Sequence, residues 1–118
     1  MSYTIVLPFP PSLNQYYRNI TIGGRARTLI SESGRRYRDV VNSLVAETKT
    51  KRLEGDLAIE IEAWFPDKRK RDLDNTLKAT LDSLTHAGVW NDDSQIKDLH
   101  IWKAPLIGGM LKISVREI

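Results

Sequence analysis

Cysteine is absent from the chain, and with it disulfides, a thiolate nucleophile and any cysteine-based zinc site. No run of about 18 apolar residues occurs, so no segment has the makings of a membrane span. Met1–Pro11 also lacks the charged region and long apolar stretch of a signal peptide. These absences lead us to expect a soluble, cytoplasmic protein with no membrane partner. Histidine is scarce: His86 and His100 are too few and too far apart for a histidine metal centre, and both are expected at the surface or its boundary. There is no phosphate-cradling glycine loop and no Gly-x-Ser-x-Gly nucleophile elbow. Neither an internal repeat nor a low-complexity tail is present. A large excess of one charge is missing too, with 18 basic residues set against 15 acidic ones.

With a net charge of only +3, the distribution of charge carries the information. Basic residues cluster at Arg35-Arg36-Tyr37-Arg38 and at Lys68-Arg69-Lys70-Arg71, as a nucleic-acid footprint requires. The second cluster runs straight into Asp72-Leu73-Asp74-Asn75, with Lys78 just beyond and Asp92-Asp93 further on. A polyanion is attracted by the first half of this stretch and repelled by the second. A divalent cation held by the carboxylates against a captured phosphate satisfies both halves. Mg²⁺ favours that arrangement, taking one or two carboxylates and keeping room for substrate phosphate. The competing reading is a solvated loop whose charges neutralise one another, and on composition alone it is the commoner case.

The 118 residues suffice for a single domain, 1–118, with one modest core. Tyr3–Leu7 alternates as a strand and is stopped by Pro8, Pro10 and Pro11. Ser12–Leu29, with Gly23-Gly24 between arginines, lacks periodicity and is read as a loop. Ser31 is a helix N-cap candidate, and Tyr37, Val40, Val41, Leu44, Val45 and Thr48 recur at helical spacing within Ser33–Lys51. Leu57, Ile59, Ile61, Ala63 and Phe65 alternate as a strand ended by Pro66. A second helix is expected over Asp74–Ala87, stopped by Gly88. Strands at Ile96–Trp102 and Met110–Val115 are expected to form a terminal hairpin. The order predicts an α/β fold, a small mixed four-stranded sheet packed with two main helices.

Asp72 and Asp74 project to one side if the segment is extended, so both face one ion. Asp74 equally suits the N-cap of the second helix. Lys78, four residues on, shares its helical face and either pairs with Asp74 or Asp82 or points at the same phosphate. Asp92 and Asp93 lie in a turn-like stretch, where such residues collect for backbone reasons alone. Asp82 reads as a helix-surface residue. Trp64, Trp90, Trp102, Tyr16 and Tyr17 are candidates for stacking on bases, although aromatics are more often core or interface residues.

Taken together, Pro10-Pro11-Ser12-Leu13-Asn14 with Tyr17-Arg18, Arg71-Asp72-Leu73-Asp74-Asn75, Lys78, Asp82, Leu84, Gly88, Asp92-Asp93 and Gln95 resemble the RusA family of Holliday junction resolvases. The resemblance covers nearly the whole chain in order and length. It implies a small homodimeric endonuclease of bacterial, phage or prophage origin that nicks four-way junction DNA symmetrically with Mg²⁺, Mn²⁺ serving as a substitute. It places the metal ligands on Asp72, Asp74 and Asp93 and an essential lysine on Lys78. It places DNA contacts on Ser12, Leu13, Asn14 and Gln15, and on Lys68, Arg69, Lys70, Arg71 and Asn75. By that likeness one or two ions activate the attacking water and stabilise the leaving 3′ oxygen, with Lys78 orienting the water or offsetting charge on the phosphate. Asn19–Thr28 departs from the family pattern, being longer and more apolar. A broader flap or branched-DNA nuclease and a non-catalytic junction-binding protein are the alternatives.

Overall fold

The computed structural model describes residues 2–118. Strand β1, Ser2–Pro8, alternates strictly between buried and exposed positions, with Tyr3, Ile5 and Leu7 facing inward. Helix α1 is a single turn, Leu13–Tyr16, and it leads into an antiparallel ribbon of β2, Tyr17–Ile22, and β3, Arg25–Ile30. Helix α2 spans Glu32–Thr48, with the Ser31 hydroxyl accepting from the Gly34 amide at its start. Strand β4 is Leu57–Trp64, helix α3 is Leu77–His86, and strands β5 and β6 are Ile96–Lys103 and Met110–Glu117. A 3-10 turn over Leu73–Thr76 precedes α3, and another over Asp93–Gln95 precedes β5.

The main sheet has the order β1-β6-β4-β5, antiparallel except for the parallel pair β4–β5. Parallel neighbours need a crossover, and the chain between β4 and β5 supplies it by carrying α3. The expected β5–β6 hairpin is therefore absent. Strand β6 is drawn instead to the middle of the sheet, where Leu111, Ile113 and Val115 are fully buried between β1 and β4. Strand β5, left at the edge, is exposed along most of its length. One sheet face joins Tyr37 and Val41 of α2 and Leu84 of α3 in the core cluster, which Trp90, Phe65 and Leu53 complete.

Ser12–Leu29, read as a loop from sequence, contains a regular ribbon. Gly23 and Gly24 both have positive φ, 57° and 77°, as a two-residue turn demands when its twist must match its strands. The ribbon lies outside the main sheet and is fixed at its base. The Ser31 amide donates to the Tyr16 carbonyl at 2.9 Å, and Ile30 accepts from the Arg35 guanidinium at 2.9 Å. Gly34 permits this junction, because a Cβ there would lie 2.5 Å from the Tyr16 carbonyl oxygen.

Candidate active site

A cleft of about 210 Å³ opens where the chain after β1 meets the segment after β4, and its walls carry Ser12, Lys70, Arg71, Asp72 and Asn75. Two segments far apart in sequence, both assigned to DNA from sequence, are thus brought face to face. Their apolar floor includes Phe9, whose ring packs against Phe65 at 5.1 Å between centroids and lies beneath the Arg71 guanidinium at 5.9 Å. The Ser12 hydroxyl and the Gln15 amide group are spent locally as a capping box for α1. Leu13 and Asn14 remain exposed beside them.

Asp72 is extended (φ −84°, ψ 134°) and stands immediately before the 3-10 turn, which places Asp74 inside that turn. The N-cap of α3 expected at Asp74 falls instead on Thr76, because the first turn is 3-10; Asp72 precedes that turn and its side chain makes no capping bond. Both carboxylates are exposed, and among the described residues neither accepts a hydrogen bond or joins an ion pair. Two uncommitted carboxylates beside a basic cleft have the hard oxygen chemistry that a Mg²⁺-type cation takes. The described residues contain no group of three or more His, Asp or Glu side chains arranged around an ion. Asp93 is not gathered with Asp72 and Asp74 into a closed set.

Asp93 is anchored from the other end of α3. One of its oxygens accepts from the Thr85 hydroxyl and from the Trp90 indole N–H, the latter at 3.2 Å. Trp90 is itself fully buried, so the Asp93 carboxylate is tied to the core through it. Asp92 instead caps the second 3-10 turn, and hydrogen bonds from Ser94 hold its carboxyl below the usual range. Gln95 is a bracket: its oxygen accepts from the Asn91 and Asp92 amides, and its amide donates to the Leu53 and Gly55 carbonyls.

Asp67 went unrecognised in the sequence, although its spacing to Arg69 and Arg71 was visible there. Its carboxylate accepts from the Arg69 amide at 3.0 Å, from the Arg69 guanidinium, and from Arg71 at 2.9 Å. Two of the four cations are therefore paired within the loop, while Lys68 and Lys70 have no ion-pair partner among the described residues. The Arg71 hydrogen bond, with help from Arg69, lowers the Asp67 pKa to about 2. A depressed carboxylate contributes its stability above its unfolded pKa. This contribution is complete above about pH 4, the ordinary carboxylate range, and fades as pH falls through about 2. Asp67→Asn is expected to release Arg69 and Arg71 toward phosphate. The slope of log affinity against log salt should steepen by about 1 to 2, at about 0.9 per added phosphate contact. An unchanged slope in a filter-binding series would show that these arginines stay within the loop.

Asp82, read as a surface residue, is partly buried and bonded on two sides. It accepts from the Tyr16 hydroxyl and from Arg38 at 2.5 Å, and Arg38 Nε also donates to the Tyr16 oxygen at 2.9 Å. Burial opposes ionisation of Asp82, but these hydrogen bonds and the charges of Arg38 and Lys78 outweigh it and keep the carboxyl below its usual range. Burial, then the bond to Asp82, pushes the Tyr16 phenol up to about 12. This three-residue clamp ties α1, α2 and α3 together, which removes Tyr16, a fully buried ring, from the stacking candidates. Trp90 is removed likewise. Trp102 stays 43% exposed on the edge strand. Lys78 projects from the first turn of α3, exposed and without an ion-pair partner among the described residues. His86 is exposed, and His100 lies 3.1 Å from Asp98 on the surface.

The sequence profile described as Endodeoxyribonuclease RusA matches residues 8–116. Crossover junction endodeoxyribonuclease RusA of Shigella sonnei (strain Ss046) is 44% identical over 122 residues, covering 99% of this chain and 96% of the relative. The protein of the same name from Escherichia coli (strain K12) is 43% identical, and that of Enterobacteria phage 82 is 44% identical, both with the same coverage.

Proposed function

The chain belongs to the RusA family of crossover junction endodeoxyribonucleases, and on that footing we propose that Asp72 and Asp74 are the carboxylates of its cleavage site. It is a Holliday junction resolvase, and its family works with a divalent cation. We assign that cation as Mg²⁺, with Mn²⁺ as a substitute, because the available donors are carboxylate oxygens. The observation that carries the assignment is the pair Asp72 and Asp74, exposed and uncommitted beside a cleft walled by Lys70, Asn75 and Ser12. Bound there, the cation supplies Lewis-acid activation of water and of the scissile phosphate.

The chain's own residues perform the remaining work. Lys68 and Lys70 draw the phosphate backbone in, and their charge is not cancelled by Asp67. Arg71 is held by Asp67 and Phe9, so it fixes the shape of the loop that presents Asp72. Asn75 offers an amide to the sugar-phosphate chain from the same wall. Lys78 stands one helical turn beyond Asp74 and opposes the negative charge that grows on the phosphate as water attacks and the bond to the 3′ oxygen breaks. The family likeness adds Asp93, which stands apart from the Asp72 and Asp74 pair and whose carboxylate is held by Trp90 and Thr85.

One chain carries one such set, while resolution needs two symmetric incisions. A two-fold homodimer supplies both from a single sequence. The test of the reading is a comparison of initial cleavage rates on a four-way junction, a flap and a linear duplex in Mg²⁺. A resolvase cleaves the junction fastest and yields paired nicked duplexes. Equal rates on the flap would mark a broader branched-DNA nuclease, and binding without cleavage would mark a non-catalytic junction protein.

A further inference from the structure

The β2–β3 ribbon plays no part in the cleft or the core, yet its two faces differ sharply. Directly opposed residues of an antiparallel pair share a face, and so do residues two apart. The pairs Arg18–Leu29, Ile20–Arg27 and Ile22–Arg25 therefore lie together on one face. All three arginines of the ribbon and three of its large aliphatic side chains occupy that face, alternating across the strands. The other face holds Tyr17–Ile30, Asn19–Thr28 and Thr21–Ala26, with the Thr28 hydroxyl donating to Asn19 at 3.1 Å. Tyr17 on that second face meets the buried Tyr16 ring edge-on at 5.0 Å, which turns it toward the body of the protein.

The first face is unpartnered. Arg18, Arg25 and Arg27 are exposed and form no ion pair among the described residues, and Tyr17–Ile30 contains no carboxylate. Ile22 is 56% exposed and Leu29 43%. Three cations without a counter-charge, interleaved with aliphatic side chains, match a surface that is anionic at its edges and apolar between them. A protein partner of acidic character offers the first property but not a regular spacing of both. DNA opened at a branch point offers both, because phosphates flank base faces that a continuous duplex keeps stacked and hidden.

We infer that the β2–β3 ribbon is a second DNA-binding element, whose arginines hold the phosphates of a junction arm and whose Ile20, Ile22 and Leu29 cover exposed base faces at the branch point. The inference rests on the resolvase reading and extends it to substrate choice. The position of the ribbon suits the role. It springs from the end of α1, the single turn that Ser12 of the cleft wall caps, so a bound arm is continuous with DNA in the cleft. Six-residue strands reach about 20 Å at about 3.4 Å per residue, enough to leave the cleft and follow an arm. The two types of side chain then do different work. Arginine–phosphate contacts raise affinity for any DNA, whereas the aliphatic contacts exist only where bases are unstacked, so they favour the junction over linear duplex.

Binding of Arg25→Gln/Arg27→Gln and of Ile22→Ser to a four-way junction and to linear duplex, without divalent cation and across salt concentrations, tests this division. The arginine double variant is expected to weaken binding to both DNAs. Its salt slope should fall by about 1.8, so that the affinity lost between about 50 and 200 mM salt shrinks roughly tenfold. Ile22→Ser should reduce junction affinity several-fold, leave duplex affinity unchanged and leave both salt slopes unaltered. Ala26→Ser, on the opposite face, should change nothing. At saturating protein, the single-turnover cleavage rate of Ala26→Ser should equal that of the wild type. Unchanged slopes in the arginine variant, or equal losses on both DNAs from Ile22→Ser, would overturn the inference while leaving the resolvase reading intact. The same is true of a loss in Ala26→Ser matching that of Ile22→Ser, or of dimer dissociation by the arginine variant in sedimentation. Wild-type protein that binds no junction would overturn both.

Discussion

Asp74→Asn is expected to abolish junction cleavage and to leave junction binding at wild-type strength or tighter. The change keeps the shape of the side chain and removes only its charge. The Asp74 carboxylate accepts no hydrogen bond among the described residues and is exposed in the 3-10 turn, so folding stability should change by less than about 0.5 kcal/mol. What is lost is a hard anionic ligand for the cation, and with it the charge that offsets the ion beside the phosphate. Repulsion of the backbone falls at the same time, which is why affinity holds or rises. Nicking at the wild-type rate in Mg²⁺ would remove Asp74 from the site. A fall in the thermal midpoint would instead assign it a role in the turn. Asp72→Asn and Asp93→Asn should behave alike in cleavage. Asp93→Asn should also cost some stability, since its oxygen holds Thr85 and Trp90. Asp92→Asn, a change in a cap, should be much milder.

Lys78→Ala should lower the single-turnover rate by roughly 10²- to 10³-fold, the range for losing one preorganised group that meets developing charge. Junction affinity should change only a few-fold. Alanine is the strongest helix former, so α3 itself is not weakened, and no ion pair of Lys78 is broken among the described residues. A group that acts in the transition state alters the rate at saturation, while a backbone clamp alters the concentration needed to reach it. Should rate at saturation stay constant and affinity fall, Lys78 belongs with Lys68 and Lys70 in capturing DNA.

Much of this molecule was legible in its sequence because the relevant signals are local. Ser31 caps α2 as expected, and the apolar spacing from Tyr37 to Thr48 matches a helix over Glu32–Thr48. Strict alternation gave β4 and β1 within a residue or two of their limits. Sheet order is not a local property. Strands β5 and β6 are adjacent in the chain, yet β6 carries the more deeply buried side chains and takes the centre. The ribbon was hidden for another reason. Its in–out alternation separates arginine and isoleucine from asparagine and threonine, rather than apolar from polar, so it does not register as a strand pattern packed on a core. In the site, the uncommitted carboxylates Asp72 and Asp74 were visible as charge, whereas the pairing of Asp67 with Arg69 and Arg71 depends on how the loop closes. Asp82 was misread because its partners, Tyr16 and Arg38, come from two other helices.

The central claim is that Asp72 and Asp74 hold a divalent cation against DNA phosphate, and Mn²⁺ bound to the protein–junction complex tests it most directly. Electron paramagnetic resonance spectra can be compared for wild type and Asp72→Asn/Asp74→Asn, each saturated with the same junction, so that ions held by the DNA alone cancel. More immobilised Mn²⁺ in the wild-type complex, with little difference between the two free proteins, is the expected result. Among the described residues no three His, Asp or Glu side chains are grouped to hold an ion, and on this account the DNA phosphate completes the site. Equal immobilised Mn²⁺ in the two complexes would contradict the claim.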